Sequence, residues 1–209
     1  MFTAVQYLPA KSHSQTAWKN GQGSTAQIAI FPPGSLFPAD FTWRLSSATV
    51  TADSEFSRFD GCDRFLTIVD GEGMEIQLGD PTESLQLHTA GVIHFSGERP
   101  ASCALRESGS LIDLGLIYRR AAVQATFIVT KLKEPDVREV SAAKHHFLCL
   151  VGLQRDTLVS VRDSTWTLSV LDALIVPRTQ SVVCMKNSSL VADDDEAIVA
   201  VITIDLVVP

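Results

Sequence analysis

Arg44, Arg64, Arg119 and Arg120 lie in a chain whose formal charge is -7 at neutral pH, so clustered cations call for an explanation, and any that is buried requires a partner. The segment Asp40-Phe41-Thr42-Trp43-Arg44-Leu45-Ser46-Ser47-Ala48 reads as a strand. Alternation puts Arg44, Ser46 and Ala48 on one face and Trp43 and Leu45 on the other. Both faces are partly apolar further along, which predicts that Arg44 is substantially buried. Its guanidinium then takes either an internal carboxylate, Asp63 or Glu98, or an anionic ligand, and both readings stand. Arg119 and Arg120 are neighbours, so at most one of them points inward. The other reading for that pair is a solvated strand end.

A second polar group is Trp18-Lys19-Asn20-Gly21-Gln22-Gly23-Ser24-Thr25. Glycines let a ligand approach the backbone, and Lys19 and Asn20 supply donors. The lysine precedes the glycines and no helix follows, so the segment is not a phosphate-binding P-loop. The plainer alternative is a turn entering a strand, with Trp18 as a core plug. The five histidines, His13, His88, His94, His145 and His146, contain no pair at alternate strand positions that would aim two imidazoles at one ion. Cys62, Cys103, Cys149 and Cys184 form no CxxC pair and read as free thiols.

The elements that must position these groups are strands. Val, Ile, Thr and Phe alternate in short runs between Gly, Pro, Asp and Ser, as in Phe41 to Val50, Phe65 to Val69, Met74 to Leu78, Thr157 to Val161 and Ala197 to Val208. No long segment has a helical period, although short helical turns are allowed near Leu132 to Ala143. The chain also repeats itself. Asp63 to Val69 aligns with His145 to Val151, and Leu85, Leu87, Gly91, Ile93 and Phe95 align with Trp166, Leu168, Asp172, Leu174 and Val176. A constant shift of about eighty residues also brings Cys103 onto Cys184, which implies one supersecondary unit used twice. The turn Asp70-Gly71-Glu72-Gly73 joins two strands of the first copy. The fold class is all-β, two antiparallel jelly rolls in tandem: an N-terminal barrel over 1–120 and a C-terminal one over 121–209, with the junction near Arg119 to Val123.

Composition bounds the rest. Hydrophobic residues are 45% and charged residues 20% of 209, ordinary for a globular protein long enough for a substantial core. The negative charge argues against nucleic acid and anionic membranes as partners. Met1 to Lys11 lacks a basic segment followed by a long apolar run, and no apolar stretch is long enough for a bilayer helix. A cytoplasmic location is expected. The acidic run Asp193 to Glu196 reads as a solvated hairpin loop.

Phe65-Leu66-Thr67-Ile68-Val69-Asp70-Gly71-Glu72-Gly73-Met74-Glu75-Ile76, followed by Leu85 to Ile93, is similar to the central hairpin and turn of cupins, and two such units make a bicupin. Metal-holding cupins carry an H-x-H pair with a Glu and a later His; at that place this chain has Cys62, Asp63 and Arg64, an ion pair or an anion hook. The segments Trp18 to Gly23, Phe41 to Ser46, Phe56 to Arg64, Phe95 to Glu98 and Asp113 to Arg120 resemble the HutD/Ves family in order over roughly the first 120 residues. The resemblance implies a metal-free bicupin without cofactor. It implies binding of a small anionic metabolite, N-formimino-glutamate or one like it, in a regulatory role in histidine utilisation or stress. Carried over by position, the binding residues are Lys19, Asn20, Arg44, Ser46, Arg64, Phe95, Glu98, Asp113 and Arg120, and Asp63 joins them from its place beside Arg64. The chain departs from the family pattern at Gln22, at Asp53-Ser54-Glu55, at Asp60, and at Gly115 and Ile117, which replace a frequent Asn and Met. A homodimer is an allowed assembly. The competing readings are a metal-independent isomerase or lyase on a small carboxylate, with Asp63, Glu98 or a His as base, and a barrel filled by its own side chains.

Overall fold

The computed structural model describes residues 3–80, 83–106, 109–178, 181–188 and 196–207. They form nineteen strands, one 3-10 turn at Ala10–Ser12 and no α-helix. Among them no helix is long and apolar enough to cross a membrane. The strands are β1 (Gln6–Leu8), β2 (Ser14–Ala17), β3 (Gly23–Phe31), β4 (Trp43–Val50), β5 (Ser54–Glu55), β6 (Cys62–Asp70), β7 (Met74–Leu78), β8 (Ser84–Leu87), β9 (Val92–Ser96), β10 (Ala101–Leu105) and β11 (Leu111–Arg119), then β12 (Val123–Leu132), β13 (Val137–Ser141), β14 (Phe147–Gln154), β15 (Thr157–Val161), β16 (Ser164–Leu168), β17 (Ala173–Pro177), β18 (Val182–Asn187) and β19 (Ala197–Leu206). The region near Leu132 to Ala143, where helical turns are allowed by sequence, instead holds β13, paired antiparallel to β18.

Two compact units result: His13–Val123, and the residues up to Ser12 together with those from Gln124 onward. The first unit is a barrel of two facing sheets, β2-β3-β4-β11-β6-β9 and β5-β10-β7-β8. The second is built from β1-β17-β14-β19-β12 and β13-β18-β15-β16. The order β4-β11-β6-β9 reappears as β12-β19-β14-β17, and β5-β10-β7-β8 as β13-β18-β15-β16, so the sequence repeat is a structural one. The correspondence reaches single residues. Ala90 and Leu171 hold matching turn positions, and both sit in the left-handed region at φ 63° and 65°, where non-glycine residues are uncommon. Parallel bridges Ile68↔Thr89 and Gly152↔Val170 flank those turns. The units do not divide at a single point in the chain. The opening segment is added to the second unit, where Gln6, Tyr7 and Leu8 pair with Ile175, Leu174 and Ala173. Asp172 fixes that edge by accepting hydrogen bonds from the Tyr7 hydroxyl (2.7 Å), the Ala10 amide (2.7 Å) and the Ser169 amide (3.1 Å).

The two interiors differ. The second barrel is packed with apolar side chains, including Leu148, Leu150, Val159, Leu168, Leu174, Met185 and Val199, all at most 1% exposed. Its strands β14 and β19 are buried on both faces and so read as unbroken apolar runs rather than alternating ones. The first barrel has a comparable core at one end, around Ile68, Met74, Ile76 and Leu111. The other end is left open by the side chains described next. Of the acidic run, Asp193 to Asp195 lie outside the described residues; Glu196 binds Lys131 (2.9 Å) and Lys133 (3.3 Å).

Candidate functional site

The first barrel encloses a cavity of about 660 Å³. Strand alternation places its cations. Along β4, Arg44, Ser46, Ala48 and Val50 line the cavity, whereas Trp43 and Leu45 are fully buried on the opposite face. Along β11 the inward residues are Asp113, Gly115 and Ile117, and β6 contributes Arg64 and Leu66. Register sets the spacing of the two arginines. Ile117 lies opposite Arg44 on one side and Arg64 on the other, so the two guanidinium-bearing residues share a row, about 10 Å apart at the backbone. Gly115, with no side chain, opens the floor between that row and Asp113.

Both arginines are desolvated, and neither has a carboxylate within ion-pair distance among the described residues. Arg44 Nε donates to Gln27 Oε1 (3.0 Å), and its guanidinium lies 4.4 Å from the Phe37 ring centre. Arg64 Nη1 donates to the Ser57 carbonyl (3.1 Å), and its guanidinium sits among Phe56, Phe95 and Phe59 at 4.9, 5.2 and 5.6 Å. Aromatic rings thus pack close to both guanidiniums, and each keeps N–H groups with no protein acceptor among the described residues. Burial lowers the pKa of Arg44, and that of Arg64 to about 10; for Arg64 the Asp113 charge works in the opposite direction. Asp113 is 5% exposed. Desolvation raises its carboxyl to about 7, against the opposing pull of the Ala48 amide, which donates to Oδ1 (3.2 Å), and of Arg64. Asp113 Oδ2 has no hydrogen-bond partner among the described residues.

The mouth is formed by the Trp18 loop, which serves both of its sequence readings. Trp18 packs partly buried against the barrel core and donates through Nε1 to Thr25 Oγ1 (2.8 Å), as a plug would. Gly23 is required there, since a Cβ would lie 2.3 Å from the Thr49 carbonyl. Lys19 and Asn20 stand exposed on the cavity rim, Asn20 tied to Gln22 (2.7 Å).

Six of the ten residues singled out from the sequence therefore line one cavity: Lys19, Asn20, Arg44, Ser46, Arg64 and Asp113. Phe95 is buried beneath them, edge-on to Phe56 and against Arg64. Asp63, Glu98 and Arg120 do not line it. Asp63 neighbours Arg64 on β6 and so faces away, where Arg120 Nη2 meets its Oδ1 at 2.8 Å. Glu98 accepts from the Gly61 amide (2.7 Å) and lies 3.6 Å from Arg120. These three clip the β6 entry to the β11 exit. Of the two readings for Arg119 and Arg120, the one that points either of them into the barrel beside Arg44 and Arg64 is corrected, and Arg120 is not a cavity residue. Arg119 is spent on the Phe41, Ala39 and Pro38 carbonyls at 2.8, 3.2 and 3.3 Å. Nor does Arg44 pair with Asp63 or Glu98. The residues that sequence reasoning missed are Phe37, Phe56, Phe59 and Gln27. The phenylalanines come from loops, where no strand period marks them; the available signals were their clustering near Arg44 and Arg64 and, for Phe56 and Phe59, a place in the segment Phe56 to Arg64.

Among the described residues, the cavity wall presents two guanidiniums, one buried carboxyl and no imidazole. That donor set does not fit a transition metal. Four of the five histidines are committed elsewhere, His94 to Tyr118 (3.1 Å), His88 to Arg106 (3.1 Å), and His145 and His146 to Asp205 (2.8 and 3.3 Å), and His13 is buried off the cavity wall. Cys149 is fully buried, its thiol pushed up to about 12 by desolvation.

Among known proteins, the chain is 34% identical over 118 residues to protein Ves of Escherichia fergusonii, covering 55% of this chain and 58% of that one. It is 37% identical over 115 residues to an uncharacterised 21.2 kDa protein in the hutC 3' region of Pseudomonas putida, covering 54% and 58%. The alignments thus span little more than half the length of these curated relatives. A solved conserved protein of unknown function from Pseudomonas aeruginosa PAO1 superposes with a TM-score of 0.83 at 26% identity, over 97% of this chain and 100% of that one. HutD from Pseudomonas fluorescens SBW25 superposes at 0.79 with 22% identity, over 97% and 99%. A cupin 2 conserved barrel protein from Leptotrichia buccalis gives 0.58 at 8%, over 92% and 96%. These likenesses fix the fold as cupin-like. The family described as HutD matches residues 10–193, most of the sequence, and the chain belongs to that family.

Proposed function

We propose that the first barrel binds a small anionic metabolite and that this occupancy serves a regulatory role, in histidine utilisation or in a stress response. One observation carries the reading: Arg44 and Arg64 are partly buried against aromatic rings on the wall of one cavity, desolvated and without a carboxylate partner among the described residues. Burying a guanidinium without an ion pair costs several kcal/mol, and a ligand anion is the partner that would offset it. A planar carboxylate suits the guanidinium N–H groups that have no protein acceptor among the described residues. The P. putida relative, encoded in the hutC 3' region, supports a histidine-pathway acid such as N-formimino-glutamate. The test is calorimetry with intermediates of histidine breakdown against wild type and Arg44→Ala. Losing a charge-assisted contact worth about 2–3 kcal/mol weakens binding by roughly 30- to 150-fold. Equal affinities in a folded variant refute the reading.

A second reading, a metal-independent isomerase or lyase on a small carboxylate, has one observation in its favour. Asp113 is a buried cavity carboxyl raised to about 7, the range of a general acid–base group. Asp63 and Glu98 are placed off the cavity and leave Asp113 as the base for such chemistry. Turnover of a bound acid, lost in Asp113→Asn, would separate this reading from simple binding.

A further inference from the structure

Asp113 has a place in the cavity that anion binding alone does not explain. A carboxylate there would repel the very ligand that Arg44 and Arg64 attract. The groups around it come from every neighbouring element: Arg64 on β6, Arg44 on β4, Cys103 on β10, exposed Glu55 on β5 and exposed Lys19 at the rim. None of the cations lies within ion-pair distance of Asp113 among the described residues. The Ala48 amide satisfies Oδ1 (3.2 Å), and Oδ2 is left without a protein partner. Cys103 adds no charge, because burial raises its thiol.

Resting on the anion-binding reading above, we infer that the cavity takes up its anion together with a proton, and that Asp113, as the protonated acid, donates its Oδ2–H to the bound ligand. A ligand carboxylate in contact with Oδ2 requires the proton. Two acceptor-only carboxylates cannot share one desolvated site without a hydrogen between them, and an O–H···O⁻ bond is among the strongest available. The proton comes from solvent. The elevated carboxyl of Asp113, about 7 in the unliganded barrel, means that near neutrality the acid form is already well populated, and a second negative charge beside it favours that form further. Asp113 is then a specificity-determining residue. It admits an anion offering a free acceptor oxygen toward β11 and couples affinity to pH.

The experiment titrates the full chain with glutarate by calorimetry between pH 5.5 and 8.5, at each pH in two buffers of different ionisation heat. Wild type is expected to take up close to one proton per anion bound at pH 8. Its affinity should fall toward tenfold per pH unit above about pH 7. Asp113→Asn keeps a donor at the same place, so its affinity should be flat over that range and at least tenfold above wild type at pH 8.5. Binding with no proton uptake, or the same pH slope in Asp113→Asn, overturns this inference and leaves the binding reading intact. Failure of glutarate and of histidine-pathway acids to bind either protein at any pH removes both.

Discussion

Asp113→Asn changes one atom of the first barrel and should make the unliganded protein more stable at alkaline pH. In the folded barrel the carboxyl is raised from its ordinary 3.8 to about 7 by burial. Between those two values the folded state holds a proton that the unfolded chain has released, so folding stability falls as pH rises. Above about pH 7 the whole penalty is present, because an unpaired carboxylate is then buried. At roughly 1.4 kcal/mol per pH unit, the rise amounts to up to about 4 kcal/mol. The asparagine carbonyl still accepts from the Ala48 amide, so the variant keeps the hydrogen bond and loses the charge. Other acids pull the opposite way: Glu98, Glu196 and Asp205 are lowered by their partners, and their stabilisation is lost toward acid pH. Those contributions are common to both proteins and cancel in the difference. Hydrogen exchange of the β11 amides, measured at pH 5 and pH 8, reads the barrel itself. The gain of variant over wild type should grow by about 3 kcal/mol from pH 5 to pH 8, from the roughly two pH units between pH 5 and the raised carboxyl. A gain that stays constant with pH would mean that Asp113 is ordinarily ionised in the fold, and the desolvation argument would fall.

Two further outcomes follow from placement. Gly73→Ala puts a Cβ 2.4 Å from the Leu87 carbonyl at a φ of +96°, and it should cost roughly 2–4 kcal/mol, read as a melting temperature lowered by about 5 °C or more. Arg120→Ala breaks a half-exposed ion pair with Asp63 that stays off the cavity, so ligand affinity should remain within about twofold of wild type; a loss comparable to Arg44→Ala would place Arg120 in the binding machinery.

Much of this was legible before any coordinates. The repeat between Asp63–Val69 and His145–Val151 foretold that β6 and β14 occupy equivalent places in two sheets. Alternation along β4 foretold the face shared by Arg44 and Ser46. What remained illegible has physical causes. Period-two reasoning shows that Asp63 and Arg64 face opposite ways, but not which of them faces in; packing against Phe56, Phe59 and Phe95 decides that for Arg64. Loops carry no period, so Phe37 and Phe59 could not be placed, although they meet edge-on at 4.9 Å beside the cavity. A three-residue strand such as β1 is too short to show a pattern, and the carboxylate that accepts from its Tyr7 lies 165 positions away.

That distant pairing orders events during synthesis. Tyr7 is synthesised well over a hundred residues before the strand it joins and the carboxylate that grips it. Until then the opening residues must wait unpaired while the intervening barrel forms behind them, a contact of very high sequence separation and correspondingly slow closure. The chain therefore cannot be cut into two self-sufficient pieces at its midpoint. A fragment starting at Gln124 would lack the strand that seals β17 and would offer its naked edge to whatever strand came by.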